Sequence, residues 1–250
     1  MLLYHRHSYI HERCHQSDIR RLSFIPVFRL SFSFLISMLV GLPSLQASRS
    51  ANFDVLKNNN SVEIILKTSF GSGSIRGRFS QIYGKLDFPF SNPKSTSGQF
   101  LLDARTLRFG YGKVNRDVHR EEWLDTNTFP KIIYKINKLT NPEWRGSKLY
   151  ADAEGQLKIH NTTSSLQLPL SLVYLRSERI KYDGTKGDIL FVKGEKSLNL
   201  NNLGIKNGKM IDATFEEIRI KFQIVLGSKQ VRPFLPSQIF NKNNRDSGNP

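Results

Sequence analysis

Between residues 216 and 226 apolar and polar side chains alternate. Ile218, Ile220, Phe222, Ile224 and Leu226 fall on one face, and Glu217, Arg219, Lys221 and Gln223 on the other. A period of two sends successive side chains to opposite faces of a β-strand, whereas a helix would scatter this set around its circumference. Val225 alone breaks the pattern. A second stretch sets Leu166, Leu168, Leu170, Leu172 and Tyr174 against Gln167, Pro169 and Ser171. Pro169 has no N–H for a ladder, which predicts an edge or a bulge there. Strands apolar on only one face must bury that face against other strands or helices.

Further strands are predicted at residues 52 to 57, 62 to 70, 73 to 79, 83 to 89, 98 to 107, 131 to 139, 148 to 160 and 187 to 200. Turn residues punctuate them: Asn58-Asn59-Asn60, Ser91-Asn92-Pro93, Asn141-Pro142, Asp183-Gly184 and Asn207-Gly208 each tolerate left-handed or fixed backbone angles. Short connections imply antiparallel neighbours. The one helical segment expected is 114 to 128, which Pro130 would stop. Many half-buried strands and almost no helix give an all-β fold that closes a barrel or stacks a sandwich, and strands of about ten residues favour the barrel. With 38% hydrophobic and 11% aromatic residues, the chain has enough apolar surface for one substantial core.

Both ends differ from this body. Arg20, Arg21 and Arg29 precede an apolar run from Leu30 to Leu42 that leads to Ala47. At about 13 residues that run is short for a bilayer and has the build of a secretory leader. Residues 1 to 47 are therefore expected to be a signal peptide, with an uncleaved anchor as the alternative because residues 1 to 20 are long for an n-region. The mature protein would be periplasmic or secreted. Residues 48 to 228 are expected to form the barrel, and 229 to 250, polar and without apolar period, a flexible tail. The single cysteine, Cys14, lies in the leader, so the remainder can form no internal disulfide or thiolate metal site. The formal charge of +16 is scattered rather than clustered, as on the solvated face of alternating strands, and would also favour an anionic membrane surface.

Several motifs carry a resemblance. Gly77-Arg78-Phe79, Gly84-Lys85-Leu86-Asp87-Phe88, Asn115-Arg116-Asp117-Val118-His119, Trp123-Leu124-Asp125, Phe129-Pro130 and the run from Gly155 to Thr163 together resemble the YceI-like family of polyisoprenoid-binding proteins, over roughly residues 52 to 227. The resemblance implies an extended eight-stranded antiparallel barrel, lipocalin-like, with one short helical insertion. It also implies an apolar interior that takes a long-chain isoprenoid lipid such as a quinone tail, and no other cofactor. The lining residues would be Leu166, Leu168, Leu170, Leu172, Tyr174, Ile218, Ile220, Phe222 and Ile224. Tyr111, Arg116, Asp117 and His119 are the candidates for a polar mouth, although a buried Arg-Asp pair that fixes a loop is the favoured reading of Arg116 and Asp117. Alternation by itself fits a solid core as well as a channel.

Two departures from the family pattern stand out. Asn161 occupies the place of a turn glycine, and Asn202-Leu203-Gly204-Ile205 lacks an arginine usual ahead of that segment.

Catalysis is not expected. His119-Arg120-Glu121-Glu122 matches no zinc helix, and there is neither a nucleophile elbow nor a phosphate-binding loop. The competing function is a basic-surface module on a solid barrel that binds anionic lipid head groups or polymers. An exported protein would not meet nucleic acid. The sequence leaves the oligomeric state open, a dimer included.

Overall fold

The alternating segments do become strands. The computed structural model describes residues 50–67, 74–205, 209–210, 213–214 and 217–232, all within the compact unit Gln46–Pro250. The predicted leader, most of the predicted tail and the Asn207-Gly208 turn lie outside the described residues.

In chain order the strands are β1 (Ser50–Val55), β2 (Ser61–Lys67), β3 (Ser74–Phe79), β4 (Ile82–Pro89), β5 (Ser97–Asp103), β6 (Arg108–Phe109) and β7 (Lys131–Arg145). They continue with β8 (Lys148–Ile159), β9 (Thr162–Leu175), β10 (Asp188–Asn199), β11 (Lys209–Met210), β12 (Ala213–Thr214) and β13 (Glu217–Ser228). Strands β1, β4, β5, β7, β8, β9, β10 and β13 pair in that order, and β13 returns to β1, closing an eight-stranded antiparallel barrel. Strands β2, β3 and β6 extend its wall at one end. A separate two-stranded ladder joins β11 to β12.

The Asn58-Asn59-Asn60 signal makes a bend, not a hairpin. β1 and β2 do not pair with each other; both lie along β13, β1 at Gly227 and Leu226 and β2 from Ile218 to Gln223. Asn59 takes φ 68°. At the break the Asn60 carboxamide replaces missing backbone partners: its Oδ1 accepts from the Val225 N–H at 2.8 Å, and its Nδ2 donates to the Leu56 carbonyl.

Two other expectations are corrected. Asn141-Pro142 lies inside β7, where the register to β8 shifts between Thr140 and Glu143. The missing proline N–H is absorbed by a bulge, and the reversal comes at Gly146, φ 59°. The helix is also shorter than predicted: α1 spans only Gly112–Val118, and turns fill the stretch to Thr128. Val114 and Val118 make its buried stripe. A continued helix would put Glu121, Glu122 and Asp125 on that stripe, whereas the turn buries Trp123 and Leu124 instead. A second short helix, α2 (Ile180–Asp183), stands between β9 and β10.

Pro169 does mark an edge. The β9–β10 ladder runs from Ile189↔Leu175 to Gly194↔Leu170 and stops there, although β9 continues on β8 and β10 continues on β13.

Val225, the exception to the alternation, also has its reason. It points away from the lumen into a small second core with Leu56 and Ile189, on which Leu175, Tyr182 and Phe191 pack. The segment carrying α2 thus covers one outer patch of the barrel.

Candidate functional site

The barrel interior is half filled and half hollow. Near the ladder between β1 and β4 the lumen is occupied by Phe53, Phe88, Phe90, Leu149, Leu172, Leu190 and Leu226, all nearly or fully buried. Phe90 meets Phe88 edge-on at 4.7 Å and Tyr174 at 4.6 Å between ring centroids. Such edge-to-face packing fills space efficiently.

The other half holds a partly open cavity of about 150 Å³, lined by side chains from the strands, α1 and its following turn, and the stretch 200–205. Its wall includes Val62, Phe79, Phe100, Phe109, Trp123, Tyr134, Leu157 and Val192.

Glycines keep that half open. A Cβ on Gly77 would lie 2.7 Å from the Phe109 ring, one on Gly84 2.7 Å from Phe100, and one on Gly155 3.1 Å from Tyr134. A Cβ on Gly194 would strike the Phe222 ring and the Pro169 carbonyl. Four aromatic rings of the lining therefore lie over four glycines, three of them directly across a ladder: Gly77↔Phe109, Gly84↔Phe100 and Gly194↔Phe222. A ring that lies on the wall does not stand in the lumen.

The cavity is almost without polar side-chain atoms. The Tyr134 hydroxyl is committed to the wall, 2.7 Å from the Ala153 carbonyl and 3.1 Å from the Leu166 carbonyl. Burial, with a smaller push from Glu154, raises its pKa above the ordinary 10.0, so the phenol is neutral. The other polar group is the Trp123 indole. Such a space receives hydrocarbon, because any polar ligand group brought there would lose its water without a partner.

Of the expected lining residues, Leu166, Leu168, Leu170, Ile218, Ile220, Phe222 and Ile224 border the cavity. Leu172 and Tyr174 do not; they belong to the filled half, where the Tyr174 hydroxyl donates to Asp188 Oδ2 at 2.8 Å. The wall also contains residues that sequence reasoning missed, above all Leu200, Leu203 and Ile205, which fall in the stretch that departs from the family pattern.

The four residues assigned to a polar mouth do not gather. Tyr111 is 62% exposed, and Arg116 faces solvent. The expected Arg116–Asp117 pair does not form; Asp117 meets Arg120 at 3.5 Å. His119 turns inward, with Nε2 3.0 Å from both the Leu107 carbonyl and Arg108 Nη1. Desolvation chiefly, and the Arg108 charge, lower its pKa against the pull of the Leu107 carbonyl. What this segment does contribute to the site is apolar: Val118, Trp123 and Leu124 line the cavity.

On the outside, basic side chains are interleaved with acids, as in Arg78–Glu63 at 2.7 Å, Lys138–Glu154 at 3.0 Å and Arg219–Glu195 at 3.3 Å. Among the described residues no three His, Cys, Asp or Glu side chains come together as a metal site.

Comparison with known proteins agrees with the barrel. The family model of the YceI-like domain matches residues 53–226. Among solved structures, BcnA of Burkholderia cenocepacia superposes with a TM-score of 0.55 at 18% identity, over 69% of this chain and 99% of its own. A polyisoprenoid binding domain from Saccharophagus degradans gives 0.51 at 11% identity, over 70% of this chain and 98% of its own. The Campylobacter jejuni YceI protein gives 0.53 at 9% identity, over 65% and 90%. At these identities the likeness is one of fold. No curated protein sequence matches the chain.

Proposed function

The chain belongs to the YceI-like family, and we propose that it is an exported, non-catalytic carrier that holds the apolar chain of an isoprenoid lipid in the hollow half of its barrel. One observation carries this reading: a cavity walled by Leu, Ile, Val and aromatic side chains, whose Tyr134 hydroxyl is already bonded to the wall. Burying apolar surface is worth about 25 cal/mol per Å², so a hydrocarbon chain gains affinity there without a polar anchor. Its head group stays outside, since the cavity has nothing to pair with it.

The isoprenoid class is supported by the Saccharophagus degradans relative in fold, which is a polyisoprenoid binding domain. Export is supported by the leader-like build of residues 1 to 47. The basic exterior would bring the barrel to an anionic membrane surface, at about 1 kcal/mol per Lys or Arg near that surface.

The test is native mass spectrometry of the protein purified from a bacterial periplasm, followed by organic extraction of any bound molecule. A stoichiometric isoprenoid lipid is the expected result. Protein that arrives empty, and takes up neither quinones nor polyprenols when they are added, overturns the proposal.

A further inference from the structure

A cavity of about 150 Å³ is the size that admits a benzene-like molecule. A long isoprenoid chain exceeds it many times over. The remainder of such a chain needs a place that is apolar, continuous with the cavity and opened without breaking the barrel.

The seam between β9 and β10 meets those conditions. Its ladder ends at Gly194↔Leu170, so residues 162–169 of β9 and 195–199 of β10 face each other without pairing. The stretch after β10 covers the gap. Leu200, Leu203 and Ile205 are 1%, 4% and 3% exposed and all three line the cavity.

This covering stretch is tied mainly to itself. Leu203 N–H and Ile205 N–H donate to the Leu200 carbonyl at 2.9 and 3.1 Å, and Gly204 N–H to the Asn201 carbonyl at 3.1 Å. Two side-chain bonds tie it to the barrel: Ser164 Oγ donates to the Asn202 carbonyl at 2.8 Å, and Asn201 N–H donates to Oδ1 of Asn199, the last residue of β10, at 2.9 Å. Gly204, at φ 79°, rests against Thr162. The contact that Leu200, Leu203 and Ile205 make with the cavity is apolar, and a hydrocarbon chain can replace it in kind because such contact has no direction.

We propose that residues 200–205 are a displaceable occupant of the lipid site. A long apolar chain takes the places of Leu200, Leu203 and Ile205, and leaves the barrel sideways through the β9–β10 gap with the displaced stretch lying over it. The inference rests on the lipid-binding reading and adds to it where the outer part of the ligand lies.

The test pins the stretch down. In the full chain, Cys14→Ser removes the only native thiol, and Ser164→Cys with Asn202→Cys puts one thiol on β9 and one on the covering stretch, at residues already in contact through the Asn202 carbonyl. A short thiol-to-thiol cross-linker, confirmed by mass, closes the pair, and the same protein left uncrosslinked serves as its own folding control. The probes are solanesol, a long polyprenol, and geraniol, a short one.

The expected result is that cross-linking lowers solanesol affinity about tenfold or more and leaves geraniol binding unchanged. Equal solanesol binding by open and closed protein overturns the displaceable occupant and leaves the carrier reading standing. Failure of the open protein to bind either prenol overturns the carrier reading and this inference with it. Hydrogen exchange on the native sequence gives a second readout: solanesol should speed exchange at the amides of Leu203, Gly204 and Ile205, and slower or unaltered exchange there overturns the proposal.

Discussion

Along β9 and β13 the same inward-facing apolar alternation builds two different interiors. Leu172 and Leu226 lie in the filled half, while Leu166, Leu168, Ile218 and Ile220 border the void. The apolar residues are of the same kind in both halves. What differs is where the rings go. Phe88, Phe90 and Tyr174 stand edge to face across the lumen, whereas Phe100, Phe109, Tyr134 and Phe222 lie over Gly84, Gly77, Gly155 and Gly194. A hollow in this barrel is therefore made by glycine on a neighbouring strand and not by a lack of large side chains.

The sharpest way to break that contrast is to make the same truncation in both halves. Phe88→Ala removes a ring packed on all sides and should cost about 3–5 kcal/mol. Phe222 already faces the void on one side and has fewer partners to lose, so Phe222→Ala should cost about 2 kcal/mol or less. Urea midpoints with unchanged slopes measure both. Equal losses would mean that the hollow half is as tightly packed as the other.

Closing the hollow from the wall is the next largest effect. At Gly77 the three atoms nearest an added Cβ all belong to the Phe109 ring, at 2.7–2.8 Å, so Gly77→Ala should tilt that ring into the cavity. The strain should cost about 1–3 kcal/mol. Prenol uptake by the folded variant should fall, and uptake at the native level would show that the ring yields in some other direction.

That mechanism explains how much the sequence could tell. The main strands were legible, because period-two alternation depends only on neighbouring residues, while the eight-stranded closure came from the family resemblance. The edge at Pro169 was also legible, since it follows from a missing donor. The oddity at Val225 was visible too, but its cause, an outer core under α2, is a tertiary contact between distant segments. The hollow was not legible. Gly77 and Gly84 were noted as motif residues, yet which ring lies over each depends on cross-strand register, and a slip of one residue would turn every side chain to the other face. Helical preference over 114 to 128 misled because burial of Trp123 and Leu124 overrode it. Arg116 and Asp117 suggested a pair by adjacency, while the last turn of α1 carries Asp117 to Arg120.

A smaller effect separates two half-buried tyrosines, Tyr134 and Tyr174. Tyr134 is held neutral chiefly by burial, and Tyr174 by burial together with its hydrogen bond and proximity to Asp188. Both phenols have folded pKa values raised above 10.0. The folded state then keeps protons that the unfolded chain gives up, so their contribution is whole below pH 10.0 and is lost as the pH rises from there through the folded values. Tyr134→Phe should cost about 1 kcal/mol near neutrality, the usual worth of one hydrogen bond. It should also flatten part of the alkaline loss in urea midpoints. An alkaline slope identical to that of the native protein would place the Tyr134 hydroxyl in contact with solvent.

The smallest effect lies on the acid side and belongs to the hollow half. His119 joins two residues of the cavity wall, since Val118 precedes it and the Leu107 carbonyl lies 3.0 Å from its Nε2. Burial first, and then Arg108, hold its pKa below 6.5. The unfolded chain thus takes up a proton before the folded one does. The associated stability is complete above pH 6.5 and is lost as the pH falls through the depressed folded value. Asp103 and Asp183 are also held below their ordinary 3.8, by Arg105 and Arg179, so their losses come at still lower pH. A shallow decline in the urea midpoint below about pH 6.5, absent in His119→Gln, is the expected record of a neutral histidine behind the cavity wall. A decline that persists in the variant would assign the acid loss to other groups, and a midpoint that rises on acidification would mean that His119 is charged in the fold, against both its desolvation and the neighbouring Arg108 charge.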